Sequence, residues 1–296
     1  MTDKKEHSQA SFLIEALPYI RKYRGATVVI KYGGHAMVDE QLKKGFAEDV
    51  TLLKYVGLNP VVVHGGGPQI NDLLTRLNIK SHFVEGQRFT DEATMDVVEM
   101  VLSGKVGKEI VSLINSVGGQ AIGLSGKDAQ LIKARRKKLT RQAEGNLPPE
   151  ILDIGLVGEP TFINSEFLHH LLQSNVIPVI APVGVGLRGE TFNINADTVA
   201  GAVAAAVKAE KLMLLTDVEG VLDQSQNLIA SIKLSEIESL RKNGTISGGM
   251  IPKLDCCRKA VSAGCAGAYI LDGRRPHALL LELFTNQGCG TEVYGD

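Results

Sequence analysis

Two β-branched runs in this chain end abruptly in glycine. Thr27-Val28-Val29-Ile30 leads into Lys31-Tyr32-Gly33-Gly34, and Val61-Val62-Val63 leads into His64-Gly65-Gly66-Gly67-Pro68. Each run reads as a buried strand and each glycine cluster as the turn that stops it. Glycine takes up positive φ without strain and lets backbone N–H groups come close to an anion; a helix starting there adds its dipole and its free donors. Pro68 suits a first helical turn, and Gln69-Ile70-Asn71-Asp72-Leu73-Leu74 opens an amphipathic stretch. The two clusters are either plain structural turns or paired anion cradles on one sheet edge, and Lys31 at a strand end favours the cradles.

Strand-like segments at 27–31, 60–64, 120–124, 176–181, 211–216 and 267–271 alternate with helical readings at 39–57, 68–77, 91–117, 165–174, 196–209, 234–242 and 251–264. That alternation predicts an α/β fold, a mainly parallel sheet covered on both faces. Residues 130–163 break the pattern with short segments and the basic run 133–138, and read as hairpins with a solvated basic face. Ahead of the first strand, Phe12, Leu13, Ala16, Leu17 and Ile20 recur at helical spacing around Pro18, which should kink the helix. Its apolar stripe packs either on its own sheet or against another subunit.

With 296 residues, 44% hydrophobic content, 22% charge and a net charge of −1, the chain can bury a large core and has no basic excess to suit general nucleic-acid binding. No apolar run approaches the roughly 20 residues that span a bilayer, so no membrane role is expected. Cys256, Cys257, Cys265 and Cys289 show no CxxC spacing and read as structural thiols in a reducing compartment.

Two nucleotide motifs fail. GxxxxGK[ST] does not occur, and Gly184-Val185-Gly186-Leu187-Arg188-Gly189 is followed by polar, extended Glu190-Thr191-Phe192-Asn193 rather than the helix a dinucleotide fingerprint needs. A stronger set lies beyond. Asn193, Asn195 and Asp197 precede a small-residue helix, where Asp197 is either an N-cap or a functional carboxylate. Thr216-Asp217-Val218-Glu219-Gly220 ends a strand, and Gly248-Gly249-Met250-Ile251-Pro252-Lys253 supplies a third glycine turn ending in lysine. Lys31 and Lys253 converging on one phosphoryl group would explain both.

KYGG at 31–34, HGGGP at 64–68, GQRFT at 86–90, NINADT at 193–198, LLTDVEGV at 214–221 and GGMIPK at 248–253 together resemble the acetylglutamate kinases of the amino acid kinase family, in order and over nearly the whole chain. The resemblance implies a three-layer α/β/α sandwich around about eight strands. It also implies an N-terminal oligomerisation helix (1–24), an acetylglutamate-binding and dimerisation lobe (25–185) and an ATP-binding lobe (186–296). The implied reaction is ATP-dependent phosphorylation of N-acetyl-L-glutamate, with Mg2+ carried on the nucleotide and no dedicated protein metal site.

By the same resemblance Lys31, Lys253, Asp197 and Gly34 are catalytic, the lysines stabilising the phosphoryl group and Asp197 holding both lysines. Gly65, Gly66, Gly67, Arg88, Asn193 and Asn195 bind the acceptor, with Arg88 on its α-carboxylate. Gly33, Thr216, Asp217, Gly220, Gly248, Gly249 and Met250 border the nucleotide. Glu282, His277, Gly288 and Gly290 resemble the signature of an allosteric arginine site in the arginine-inhibited, homohexameric branch, although Glu282 also fits an ordinary helix surface. The implied setting is cytoplasmic, or plastid stroma in a eukaryotic phototroph, with the PII signalling protein as a further partner.

Overall fold

The six strand-like segments lie side by side. A computed structural model describes residues 14–141, 150–286 and 288–296. Its main sheet contains β1 (Thr27–Tyr32), β2 (Asn59–His64), β3 (Ala121–Leu124), β4 (Ile177–Ile180), β5 (Lys211–Thr216), β6 (Ser231–Lys233), β7 (Gly267–Asp272) and β8 (Thr291–Tyr294), in the order β6-β8-β7-β5-β1-β2-β4-β3. The strands from β7 to β3 are parallel, while β8 runs antiparallel to β7 and parallel to β6.

Helices cover both faces, which is why the central strands read as unbroken apolar runs. Side chains alternate between two cores. Val28, Ile30, Val62 and Met213 pack towards α2 (Glu40–Tyr55), α4 (Glu92–Glu99) and α5 (Gly107–Ser116). Val29, Val61, Val63 and Leu212 pack towards α6 (Ser165–Gln173), α7 (Ala196–Ala206) and α9 (Met250–Ser262). The helix α3 (Gly67–Arg76) follows β2, α8 (Ile237–Lys242) follows β6, and α10 (Ala278–Phe284) follows β7.

The first described helix, α1, covers residues 14–23 and resolves the two fates of the N-terminal stripe in part. Ala16 and Tyr23 are buried in the α2 core of the same chain, while Ile14 and Leu17 stay exposed. Phe12 and Leu13 lie outside the described residues.

Three features depart from the sequence reading. The single helix expected over 91–117 is α4 and α5 joined through a seven-residue π-helical segment, Met100–Val106. The short edge strands β6 and β8 were not anticipated, and the helix α10 was read only as one setting for Glu282. The 130–163 region does form hairpins: Ile132–Arg136 and Gly158–Ile163 join Val183–Val185 and Thr191–Asn193 in a second, four-stranded sheet. Residues 186–189 are the turn of the Val183–Val185/Thr191–Asn193 hairpin, so the glycine motif there opens no helix. The expected lobe boundary at 185/186 falls in that same turn.

Register levels the working edge. Lys31 lies opposite both Val63 of β2 and Leu214 of β5, so the chain leaves β1, β2 and β5 at the same height. Gly33-Gly34, Gly65-Gly67 and Thr216-Asp217 therefore emerge together at the carboxyl edge, where open α/β sheets bind ligands.

Candidate active site

Lys31 and Lys253 reach one carboxylate. Lys31 Nζ is 3.1 Å from Asp197 Oδ1, and Lys253 Nζ donates to Asp197 Oδ2 at 3.1 Å. The α7 helix is preceded by Asn195, whose side-chain oxygen accepts from the Thr198 N–H at 3.1 Å, so Asn195 is the N-cap and Asp197 is left for the lysines. Close packing of α7 on α9 makes the reach possible. A Cβ at Gly201 would sit 2.8 Å from Cys256 Sγ, and that thiol donates to the Asp197 carbonyl at 2.8 Å, one helical turn beyond Lys253.

Burial pushes the Asp197 carboxyl pKa up, but the charges of Lys31 and then Lys253, with the Lys253 hydrogen bond, outweigh it and hold the group below the ordinary carboxylate range. The Lys31 contact lies off the hydrogen-bonding direction, so Oδ1 is buried without an aligned donor.

A cavity of about 180 Å³ is lined by Lys31, Gly33, Gly34, Gly65, Gly66, Gly67, Asn195 and Asp197. The Gly65 N–H is tied to the Tyr32 carbonyl at 2.8 Å, which holds the two glycine turns together. Gly66 caps α3 and Gly67 begins it. His64, fully buried, points Nδ1 at the Gly65 carbonyl (2.8 Å), and burial lowers its pKa to about 4, so it is neutral at physiological pH.

A neighbouring cavity of about 240 Å³ shares Gly65 to Gly67 and Asn195 and adds Arg88, Asn193, Phe83 and Leu102. Arg88 comes from the hairpin Phe83–Val84/Gln87–Arg88 and is buried; its guanidinium stacks 4.7 Å from the Phe83 ring centroid and Nη1 donates to Ser81 Oγ at 2.5 Å. Desolvation lowers its pKa. Thr90 links the wall, its hydroxyl donating to the Arg88 carbonyl at 2.9 Å and accepting from Asn193 Nδ2 at 3.2 Å. Thr90 sits inside GQRFT but was not singled out from the sequence.

The other expected residues divide. Thr216 Oγ1 closes the turn onto the Val218 N–H, and Asp217 turns back over Gly34. Gly220 packs against Leu228 and Thr291. Gly248 has φ +52, Gly249 caps α9 and Met250 begins it. Among the allosteric candidates, Glu282 accepts from the Cys289 N–H at 2.7 Å beside Gly288, while Gly290 packs on the backbone of β7. His277 instead faces Asp49 of α2, with Nδ1 2.6 Å from Oδ1. Among the described residues no group of three or more His, Cys, Asp or Glu side chains is placed to hold a metal, and no helix is long and apolar enough to cross a membrane.

The sequence pattern of the amino acid kinase family matches residues 26–272, and the chain is 60% identical over 289 residues to acetylglutamate kinase of Solidesulfovibrio magneticus, covering 98% of this chain and 97% of that protein. The chain belongs to the acetylglutamate kinases of the amino acid kinase family. A second acetylglutamate kinase, from Stutzerimonas stutzeri, is 60% identical over 284 residues, 96% of this chain and 95% of that protein.

Solved structures agree on the fold. N-acetylglutamate synthase from Neisseria gonorrhoeae, complexed with coenzyme A and N-acetyl-glutamate, superposes with a TM-score of 0.83 at 25% identity over 97% of this chain, which spans only 63% of that chain. Carbamate kinase from Giardia lamblia bound to AMP-PNP gives 0.65 at 18% identity over 92% of this chain and 99% of that one, a likeness of fold. In this acetylglutamate kinase family member, the Asp197-centred lysine pair lies at the carboxyl edge of the sheet shared with those structures.

Proposed function

We propose that this chain transfers the γ-phosphoryl group of ATP to the side-chain carboxylate of N-acetyl-L-glutamate, giving N-acetyl-L-glutamyl 5-phosphate and ADP, the second step of arginine biosynthesis, in the cytoplasm. The observation that carries this reading is the single buried carboxylate of Asp197 shared by Lys31 and Lys253 between two glycine turns, with the Arg88 cavity alongside.

The acceptor carboxylate is already ionised at neutral pH, so the site needs no general base. Its difficulty is charge: an anion must approach a polyanionic nucleotide in line, and positioning plus electrostatic stabilisation accounts for most of the catalysis. Arg88 pairs with the α-carboxylate and Asn193 hydrogen-bonds the acetylamino group, which orients the side-chain carboxylate towards Gly65 to Gly67. An oxygen of that carboxylate forms the new bond to γ-phosphorus while the bond to the β-phosphate oxygen breaks. Lys31 and the glycine N–H groups take up the charge on the phosphoryl oxygens, and Lys253 takes up the charge on the leaving ADP. Mg2+ carried on the nucleotide phosphates would supply further charge neutralisation.

Arginine inhibition belongs to the same reading. Its support is the Glu282 carboxylate beside Gly288, close to the buried Lys211 ammonium that lies 3.6 Å from the Tyr269 ring centroid and 5.4 Å from that of Tyr23 on α1. A homohexamer assembled through α1, whose Ile14 and Leu17 are exposed, and capture by PII extend the proposal and rest on the resemblance.

The test is acyl phosphate formation trapped as hydroxamate, with N-acetylglutamate, glutamate, aspartate and carbamate compared and arginine titrated. Turnover selective for N-acetylglutamate and suppressed by arginine supports the reading. Saturable arginine binding without turnover would replace it with an arginine sensor on the same fold.

A further inference from the structure

Asp217 does not simply face outward from the end of β5. Because Lys31 pairs with Leu214, the parallel register sets Asp217 level with Gly34, three residues further along each strand. Its carboxylate fills the space over that glycine. Oδ1 accepts from the His35 N–H at 2.6 Å, and a Cβ on Gly34 would fall 2.5 Å from Oδ1 and 2.9 Å from Cγ. Gly34 is thus required twice, for its φ of +71° and for the volume the carboxylate occupies. The Thr216 hydroxyl, bonded to the Val218 N–H at 3.1 Å, shapes the turn that presents Asp217.

We propose that Asp217 is a positioning residue for phosphoryl transfer: by holding the His35 N–H from the neighbouring strand it sets the Gly33-Gly34 turn, and with it the glycine N–H groups and Lys31, against the phosphate. The inference rests on the phosphotransferase reading above and deepens it. The required group is a hydrogen-bond acceptor at one point, since the partner is a backbone N–H. Lys31 bends over the same turn, its Nζ 2.8 Å from where a Gly33 Cβ would be, so a turn released at Gly34 moves the lysine's support as well. Displacement of such a group by about 1 Å costs on the order of 10² in rate.

The test compares Asp217→Ala with Asp217→Asn, whose amide oxygen can still accept from the His35 N–H. The expected result is a kcat about 10²-fold lower for Asp217→Ala, with KM for N-acetylglutamate little changed, and recovery of most of that loss in Asp217→Asn. Amide hydrogen exchange at His35 reads the contact without turnover: exchange accelerates in Asp217→Ala and stays slow in Asp217→Asn. An Asp217→Asn enzyme as impaired as Asp217→Ala, with its His35 amide still protected, would mean that the charge acts on the nucleotide and would overturn the proposal. Unchanged His35 exchange in Asp217→Ala would overturn it as well. A wild-type protein that forms no acyl phosphate would refute the phosphotransferase reading itself, and this inference with it.

Discussion

Lys31 Nζ lies 3.1 Å from Asp197 Oδ1, yet the two are far apart in the sequence, one at the close of β1 and the other two residues past the cap of α7. The strand brings the lysine to the sheet edge, and the Asn195 cap frees the aspartate to meet it. The same carboxylate receives Lys253 on its other oxygen.

A shared anchor predicts coupled effects. Lys31→Met and Lys253→Met should each lower kcat by about 10²- to 10³-fold. The double variant should lose less than the product of the two, because each single change already leaves Asp197 with one cation and an altered site. Steady-state kinetics of the four enzymes measures this coupling directly.

Arg88 is buried, stacked on Phe83 and held by Ser81, a geometry that suits a planar fork. Arg88→Lys retains the charge but not the fork. It should raise KM for N-acetylglutamate by about 10-fold or more while KM for ATP stays near wild type, the loss of one bidentate pair amounting to about 1.5–3 kcal/mol. A parallel rise in both KM values would place Arg88 outside the acceptor cavity.

The six central strands and the three glycine turns were legible because both signals are local: a β-branched run, then glycine. Edge strands β6 and β8 are only three and four residues long and half solvated, which leaves too little pattern to read. The π-helical turn at Met100–Val106 carries helical periodicity on either side, and the wider backbone hydrogen bonding that sets it apart leaves no mark in the residue pattern. For Asp197, cap or functional carboxylate, the choice depended on which neighbour took the Thr198 N–H, a question of backbone geometry. The resemblance grouped His277 with Glu282, and its contact with Asp49, 228 residues away, could not be read from local pattern.

That pairing gives a pH prediction. Burial raises the Asp49 pKa to about 6, against the lowering effect of its hydrogen bond to His277. The folded protein binds this proton more tightly than the unfolded chain, so the contribution to stability is fully present below about pH 4 and is lost as pH rises through about 6. Asp49→Asn does not titrate there. Relative to wild type, it should therefore gain about 2 kcal/mol of stability between pH 4 and pH 8, read from denaturant unfolding at the two pH values. A difference between the two proteins that does not vary with pH would contradict the assignment.

The most direct test of the central claim is Asp197→Asn, which keeps the shape and removes the charge that holds both lysines. Calorimetric affinities for ATP and for N-acetylglutamate should remain within a few-fold of wild type, while the rate of acyl phosphate formation falls by about 10²- to 10³-fold. A rate within a few-fold of wild type would contradict the account, because the two lysines would then be placed without Asp197.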